Sequence, residues 1–222
     1  MNDNKNTKYI EDPDLFVNAR NPQGDLGEKL LDWMTVNHES LSIWGISHLD
    51  MQKEDIILDI GCGSGVNVER FLEMSERVYG IDYSQLAVEK SVMLNQKAID
   101  EGRCKIVQAS VSKMPFEDES FDIITAFETI YFWPDILGDL KETRRVLKDD
   151  GIILICNEAV PKHDDDRQKE LTELLDMNIY SEDELDELLR QSGFSDVLCF
   201  LNEGKDSVTN EPVTWLCVIA KK

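Results

Sequence analysis

Five short apolar runs mark the middle of the chain: 55–60 (DIILDI), 77–81 (RVYGI), 105–108 (KIVQ), 121–127 (FDIITAF) and 151–156 (GIILIC). Each is bounded by polar or glycine-bearing sequence and is too short for an ordinary helix, so each reads as a strand. Helical spacing fills three of the gaps. It places Val68, Phe71 and Leu72 on one face of 66–74, and Ala87, Ser91, Leu94 and Ala98 on one face of 85–99. It also turns Ile136, Leu140 and Leu147 inward along 135–147. Strands alternating with helices predict right-handed crossovers and a parallel sheet. Near-continuous apolar strands agree, because a sheet covered on both faces has no polar side.

The two ends of the chain have different patterns. Toward the C-terminus, Ser181 and Glu184 form a capping-box pattern ahead of Leu185, Leu188 and Leu189, and Gly193 stands where that helix should stop. The β-rich runs 196–201 and 213–220 follow, separated by a polar loop, and predict an antiparallel pair closing one sheet edge. Toward the N-terminus, Leu26, Leu30, Trp33 and Met34 fit an amphipathic helix, and Leu41, Trp44 and His48 share one face of a second. The expected architecture is α/β: a Rossmann-like, doubly wound, mostly parallel sheet with an antiparallel C-terminal edge pair and an N-terminal helical cover. Residues 1–50 form the cover and 51–222 the sheet domain.

Composition narrows the function. The 222 residues include 23 Lys and Arg against 45 Asp and Glu, a formal net charge of −22. A polyanion is repelled by phosphate backbones and anionic headgroups, which makes nucleic acid and bare membrane poor partners and a small molecule a better one. The hydrophobic fraction of 41% supports a full core, and disorder is expected only around Asn2 to Lys8, which carry no apolar side chain. Cys62, Cys104, Cys156, Cys199 and Cys217 are odd in number and contain no Cys-x-x-Cys pair, which favours reduced thiols in a cytoplasmic setting over disulfides or a zinc site. No apolar run approaches the ~20 residues of a membrane span, and the polar start lacks a signal-peptide core. Oligomeric state is not legible.

The chemistry concentrates in Leu58-Asp59-Ile60-Gly61-Cys62-Gly63-Ser64-Gly65, which joins the first strand to the first crossover helix. Glycines let the backbone turn sharply and approach a ligand, and the helix start behind them offers unpaired N–H groups. About twenty residues on, Asp82 ends the second strand, where a carboxylate can accept both hydroxyls of an adenosine ribose. The alternative role for Asp82 is a turn residue ahead of a helix capped by Ser84. Loop and acid together indicate a nucleoside cofactor, either a dinucleotide or S-adenosylmethionine.

The stretch Asp59-Ile-Gly-Cys-Gly-Ser-Gly65 resembles the first motif of class I S-adenosylmethionine-dependent methyltransferases. Met114-Pro-Phe-Glu-Asp-Glu-Ser-Phe-Asp-Ile-Ile124 resembles the region around their fourth strand, and Arg145-Val-Leu-Lys-Asp-Asp-Gly151 the approach to their fifth. Order and spacing match from about Asp55 to Glu158, with most similarity to the small-molecule branch of ubiquinone/menaquinone-biosynthesis C-methyltransferases. The alternating glycines Gly61, Gly63 and Gly65 depart from the G-x-G-x-x-G of dinucleotide enzymes. The resemblance implies S-adenosylmethionine as cofactor. Gly61 and Gly63 would lie under its methionine moiety, and Asp59 with the Phe127 carbonyl would support the amino group. Asp82 would hold the ribose, Tyr83 would flank the adenine, and the Val111 N–H would meet the ring. Ser110 stands where relatives usually carry an acid for the adenine amino group, and a serine accepts more weakly.

Methyl transfer needs alignment and exclusion of water, and needs a base only where the acceptor must lose a proton. Acceptor-side candidates follow the fourth strand: Glu128, the best-placed ionisable group and the expected catalytic residue, with Tyr131, Phe132 and Trp133. Glu158 and His163 are weaker candidates, and His48 is expected to pack or cap in the head. No metal site is expected, and Asp164-Asp165-Asp166 reads instead as the acidic start of a helix carrying Leu171, Leu174 and Leu175. A nucleotide-dependent oxidoreductase, a non-catalytic S-adenosylmethionine-binding module and a protein methyltransferase are the competing functions.

Overall fold

The computed structural model describes residues 16, 18–158, 160–161, 166–205 and 212–222. The stretch Asn2 to Lys8, His163 and the first two aspartates of the 164–166 run lie outside the described residues. The central strands are β1 (Ile56–Ile60), β2 (Arg77–Asp82), β3 (Cys104–Gln108), β4 (Phe121–Phe127) and β5 (Leu147–Asn157), followed by β6 (Ser195–Lys205) and β7 (Pro212–Lys221). They form one seven-stranded sheet in the order β3-β2-β1-β4-β5-β7-β6. Strands β1 to β5 pair in parallel. Strand β7 is antiparallel to both β5 and β6, so the C-terminal pair closes one edge as the pattern predicts. The order reverses direction at β1, and in such sheets ligands bind beyond the carboxyl ends of the strands at that switch.

Alternating side chains of the strands feed two cores, one on each face. Leu58, Ile60, Ile124, Ala126, Ile153 and Ile155 point to one face, which helices α5 (Ile136–Val146) and α7 (Glu182–Gln191) cover with Leu140, Val146, Leu185 and Leu189. Ile57, Ile123, Leu154 and Cys156 point to the other. There, helices α2 (Glu39–Ile46), α3 (Val66–Met74) and α4 (Gln85–Asp100) contribute Leu41, Ile46, Val68, Phe71 and Ala98. Burial on both faces is what demanded apolar strands.

Local rules place the helix ends. Ser84 caps α4 by accepting from Ala87 N, and Ser181 with Glu184 makes both hydrogen bonds of the capping box at α7. Two side-chain expectations need correction. Leu147 is fully buried but begins β5 instead of ending α5. Leu94 is 42% exposed, and Asn95 takes its place inside α4 because its amide donates to the Gly65 and Ser91 carbonyls. On α6 (Asp166–Leu175), Leu174 is exposed. His48 packs, as expected, from just beyond the end of α2, stacking on Phe200 at 4.2 Å between ring centroids.

Helix α1 (Gly24–Asn37) precedes α2 and carries Leu30 and Trp33 into a small separate cluster with Phe16, Ala19, Leu26 and Met34. Polar contacts tie this region to the sheet domain. The Thr35 and Ser64 hydroxyls are 2.6 Å apart, Lys90 Nζ donates to Asp32 at 2.7 Å, and Ser84 Oγ donates to the Pro22 carbonyl at 2.6 Å. Gly45 lets α2 lie directly on the sheet, because a Cβ there would sit 2.8 Å from both Cys156 Sγ and Phe127 Cε1. Among the described residues, no helix is long and apolar enough to cross a membrane. All five cysteines are free thiols.

Candidate active site

Every loop that leaves the carboxyl end of β1 to β5 reaches one cavity of about 860 Å³, roofed by α1, α2 and the residues around Phe16 to Pro22. Of the sequence-predicted residues, Gly61, Gly63, Asp82, Tyr83, Ser110, Val111, Phe127 and Glu128 line it. Asp59 lies just behind the wall and is 2% exposed. Tyr83 stands on the rim at 62% exposure.

The glycine loop has the backbone that only glycine adopts cheaply, with φ of +71° at Gly61, +53° at Gly63 and +87° at Gly65. The three positions differ in what surrounds them. A Cβ at Gly61 would strike the Thr129 side chain, and one at Gly65 would strike Ser91 and Asn95 on α4. A Cβ at Gly63 would meet nothing closer than Leu31 Cδ2 at 3.9 Å, so it would project into open space in the cavity. Gly61 and Gly65 therefore have packing reasons to be glycine, whereas Gly63 leaves room for a ligand against the backbone.

Two carboxylates brace this half. Asp82 accepts from the Gly63 N–H at 2.9 Å and the Ser84 N–H at 2.8 Å, so it shapes the loop as well as facing the cavity. Burial pushes its carboxyl above the usual range, and those backbone donors pull the other way. Asp59 sits opposite Thr125 in the β1–β4 register and accepts from Thr125 Oγ1 at 2.7 Å. Burial pushes Asp59 up to about 7, partly offset by Thr125 and reinforced by the Asp82 charge. An ammonium or sulfonium brought alongside would relieve both groups. Ser110 spends its hydroxyl locally, accepting from Ser112 N at 3.2 Å.

The other half of the cavity was only partly visible in the sequence. Glu128 leaves β4 with φ +55°, a left-handed conformation unusual for a residue with a side chain. It is held there by its N–H to the Cys156 carbonyl at 3.0 Å. Its Oε1 accepts from the Glu158 N–H and, at 3.3 Å, from Tyr131 O–H. His38, at the junction of α1 and α2, completes the group: its Nε2 lies 3.8 Å from Glu158 Oε1. The ligating atoms of His38, Glu128 and Glu158 all fall within 4.8 Å of one another. Phe16, Trp33, Tyr131, Phe132 and Trp133 line the same space. His38 was missed because a histidine at a helix junction carries no motif, and only folding brings it to residues 128 and 158.

The strand order, the antiparallel end and the position of the cavity define a class I methyltransferase fold. Residues 58–155 match the family described as a methyltransferase domain. The chain is 31% identical over 125 residues to the 2-phytyl-1,4-naphtoquinone methyltransferase of Trichormus variabilis, covering 54% of this chain and 55% of that protein. It is 32% identical over 108 residues to cycloartenol-C-24-methyltransferase 1 of Oryza sativa, covering 48% and 31%. The matched segment thus spans about a third to just over half of these relatives. Among solved structures, phosphoethanolamine N-methyltransferase 2 of Haemonchus contortus, in complex with phosphomonomethylethanolamine and S-adenosylhomocysteine, superposes with a TM-score of 0.77 at 15% identity, over 93% of this chain and 59% of that one. The YcgJ protein of Bacillus gives 0.64 at 19% identity over 83% and 98%.

Proposed function

We propose that this chain transfers a methyl group from S-adenosylmethionine to a small-molecule acceptor. The observation that carries the reading is the single cavity in which the Gly63 backbone and Asp82 face Glu128, Glu158 and His38. Left-handed glycines, an open Cβ position and buried carboxyls whose ionisation burial disfavours suit a ligand carrying an adenosine and a cationic amino-acid group. When bound, S-adenosylmethionine supplies a methyl already activated on a sulfonium.

The residues divide accordingly. Gly61 and Gly63 give the methionine part a bare backbone surface, and Asp59 with the Phe127 carbonyl favours its ammonium. Asp82 receives the ribose hydroxyls, while Tyr83, Ser110 and Val111 surround the adenine. Glu128 orients the acceptor. Within 1–50, the described residues act as a cover over the sheet domain of 51–222, closing the site so that water is excluded while acceptor and methyl are aligned.

Isothermal titration of the full chain tests the reading. S-adenosylmethionine and S-adenosylhomocysteine should bind, with NAD and NADP much weaker, and incubation with metabolite extract should yield S-adenosylhomocysteine with a methylated product. Tight dinucleotide binding without an adenosylmethionine signal would replace this function by a nucleotide-dependent oxidoreductase. Cofactor binding with no turnover in any extract would leave a binding module.

A further inference from the structure

Resting on that reading, we infer that Arg70 receives the α-carboxylate of bound S-adenosylmethionine and so makes the chain selective for donors that keep this group. At neutral pH the amino-acid end of the cofactor carries an ammonium and a carboxylate on one carbon. Asp59, buried behind the glycine loop, and Asp82, at the cavity wall, suit the ammonium and the ribose hydroxyls. Ionised, both would repel a carboxylate set down beside the loop, and the net charge of −22 adds to that repulsion at long range. Holding the whole amino acid there therefore calls for a cation in the wall next to the loop.

Arg70 stands in that place. Helix α3 begins directly after Gly65, and Val66, Asn67 and Arg70, three and four residues apart, share the face of it that lines the cavity. Ser64 of the loop lines the same wall, bonded to Thr35 of α1. The guanidinium is oriented by two bonds: one terminal nitrogen donates to Asn67 Oδ1 at 2.9 Å, the other to Glu39 Oε1 at 3.0 Å. A guanidinium has five N–H groups, so three of them have no partner among the described residues. Its side chain is 21% exposed against 58% for Glu39, and a carboxylate so well hydrated offsets little of the charge. The planar fork can take a ligand carboxylate through two parallel N–H···O bonds. Among the described residues, the other permanent cation in the cavity wall is Arg20, which precedes α1, is more exposed than Arg70 and pairs with Asp176 at 2.7 Å.

The consequence is a selectivity within adenosyl ligands. A compound that keeps the adenosine and the ammonium still satisfies Asp59 and Asp82, but without the carboxylate it forfeits the charge-assisted bonds to Arg70. The carboxylate does not change charge while the methyl moves, so Arg70 stabilises ground state and transition state alike and acts on binding, not on turnover at saturation.

The test is isothermal titration of the full chain with two matched probes: S-adenosylhomocysteine, and 5′-(3-aminopropylthio)-5′-deoxyadenosine, which differs from it only in lacking the carboxylate. Wild type should bind the first at least about tenfold more tightly. Arg70→Gln, checked for wild-type melting, should lose about ten- to a hundredfold in S-adenosylhomocysteine affinity yet stay within about twofold for the carboxylate-free probe, so that the preference collapses. Arg70→Lys should keep part of the preference, because it keeps the charge without the fork. Equal binding of the two probes by wild type overturns the inference. So does an undiminished preference in Arg70→Gln, and so does an equal loss for both probes, which would mark Arg70 as a structural residue. A preference lost in Arg20→Gln and intact in Arg70→Gln would move the carboxylate to Arg20. Failure of both probes to bind wild type removes the parent reading, whereas binding without preference removes only this one.

Discussion

Replacing Asp59 by Asn should stabilise the ligand-free protein at alkaline pH and leave it nearly unchanged in mild acid. Asp59 is 2% exposed, and its folded-state carboxyl lies at about 7 against an ordinary 3.8. The folded chain therefore keeps a proton that the unfolded chain has already released. Unfolding sheds it, so stability declines as pH climbs from the ordinary value toward 7, then levels off once both states are ionised. Between pH 5 and pH 7 the two-unit interval at ~1.4 kcal/mol per unit amounts to a loss of about 3 kcal/mol. Asparagine is nearly isosteric, keeps an oxygen for the Thr125 hydroxyl and does not titrate. Other groups titrate equally in both proteins and cancel in the difference. At roughly 2–4 °C per kcal/mol for a chain of this size, the gap in melting temperature should widen by about 6–12 °C between pH 5 and pH 8. Circular-dichroism melts at both pH values measure it. A gap that stays constant, or that opens in favour of wild type as pH rises, would refute the placement of an unrelieved carboxyl behind the glycine loop. The same variant should bind S-adenosylmethionine roughly tenfold more weakly at pH 8, because the ligand's cationic group loses its nearby charge.

Other consequences are equally open to measurement. Gly63→Val should weaken S-adenosylmethionine binding by more than about a hundredfold in titration while melting drops by only a few degrees, since the new side chain fills open space at a strained φ. Gly61→Val should instead lower melting markedly, because Thr129 occupies the space. Asp82→Ala should reduce cofactor affinity roughly ten- to a hundred-fold with turnover at saturation preserved; the loss of its Gly63 and Ser84 contacts should also raise hydrogen exchange across 61–65. Gly45→Ala should destabilise by about 1–3 kcal/mol in urea melts despite its better helix propensity, because the methyl meets Cys156 and Phe127. An increase in stability there would contradict the close seating of α2. Hydrogen exchange across Gly24–Ile46 should slow when S-adenosylhomocysteine binds, and unchanged rates would assign these helices a static packing role.

The sequence revealed most where one rule governed each residue. Strands β1, β4 and β5 are buried on both faces, so Ile57, Leu58, Ile124, Ile153 and Leu154 had to be apolar whatever else they did. The loop glycines were legible because their backbone conformation excludes other residues, and Ser181 with Glu184 because a capping box is local. Prediction faltered where two demands met. Asn95 and Leu94 compete for the inner face of α4, and the polar residue wins because Gly65 offers a carbonyl that spacing cannot reveal. Leu147 follows helical spacing yet begins a strand, since its burial is equally served by either element. His38 was out of reach because its significance depends on contacts with residues some 90 and 120 positions away.

The family match ends at residue 155, and that boundary passes through the cavity. Asp59, the loop glycines, Asp82, Ser110, Val111 and Phe127 all lie inside it, whereas His38, Trp33, Glu158, Met177 and Ile179 lie outside. Of the clustered His38, Glu128 and Glu158, only Glu128 lies within the matched segment. One wall of the chamber thus lies within the matched segment, and the facing wall combines Glu128, Tyr131, Phe132 and Trp133 of that segment with residues from the flanks on either side of it. The two can diverge at different rates: on the proposed function, exchange of the flanking segments between related chains should change the acceptor that is bound while leaving S-adenosylmethionine binding in place, which titration of such chimaeras would check.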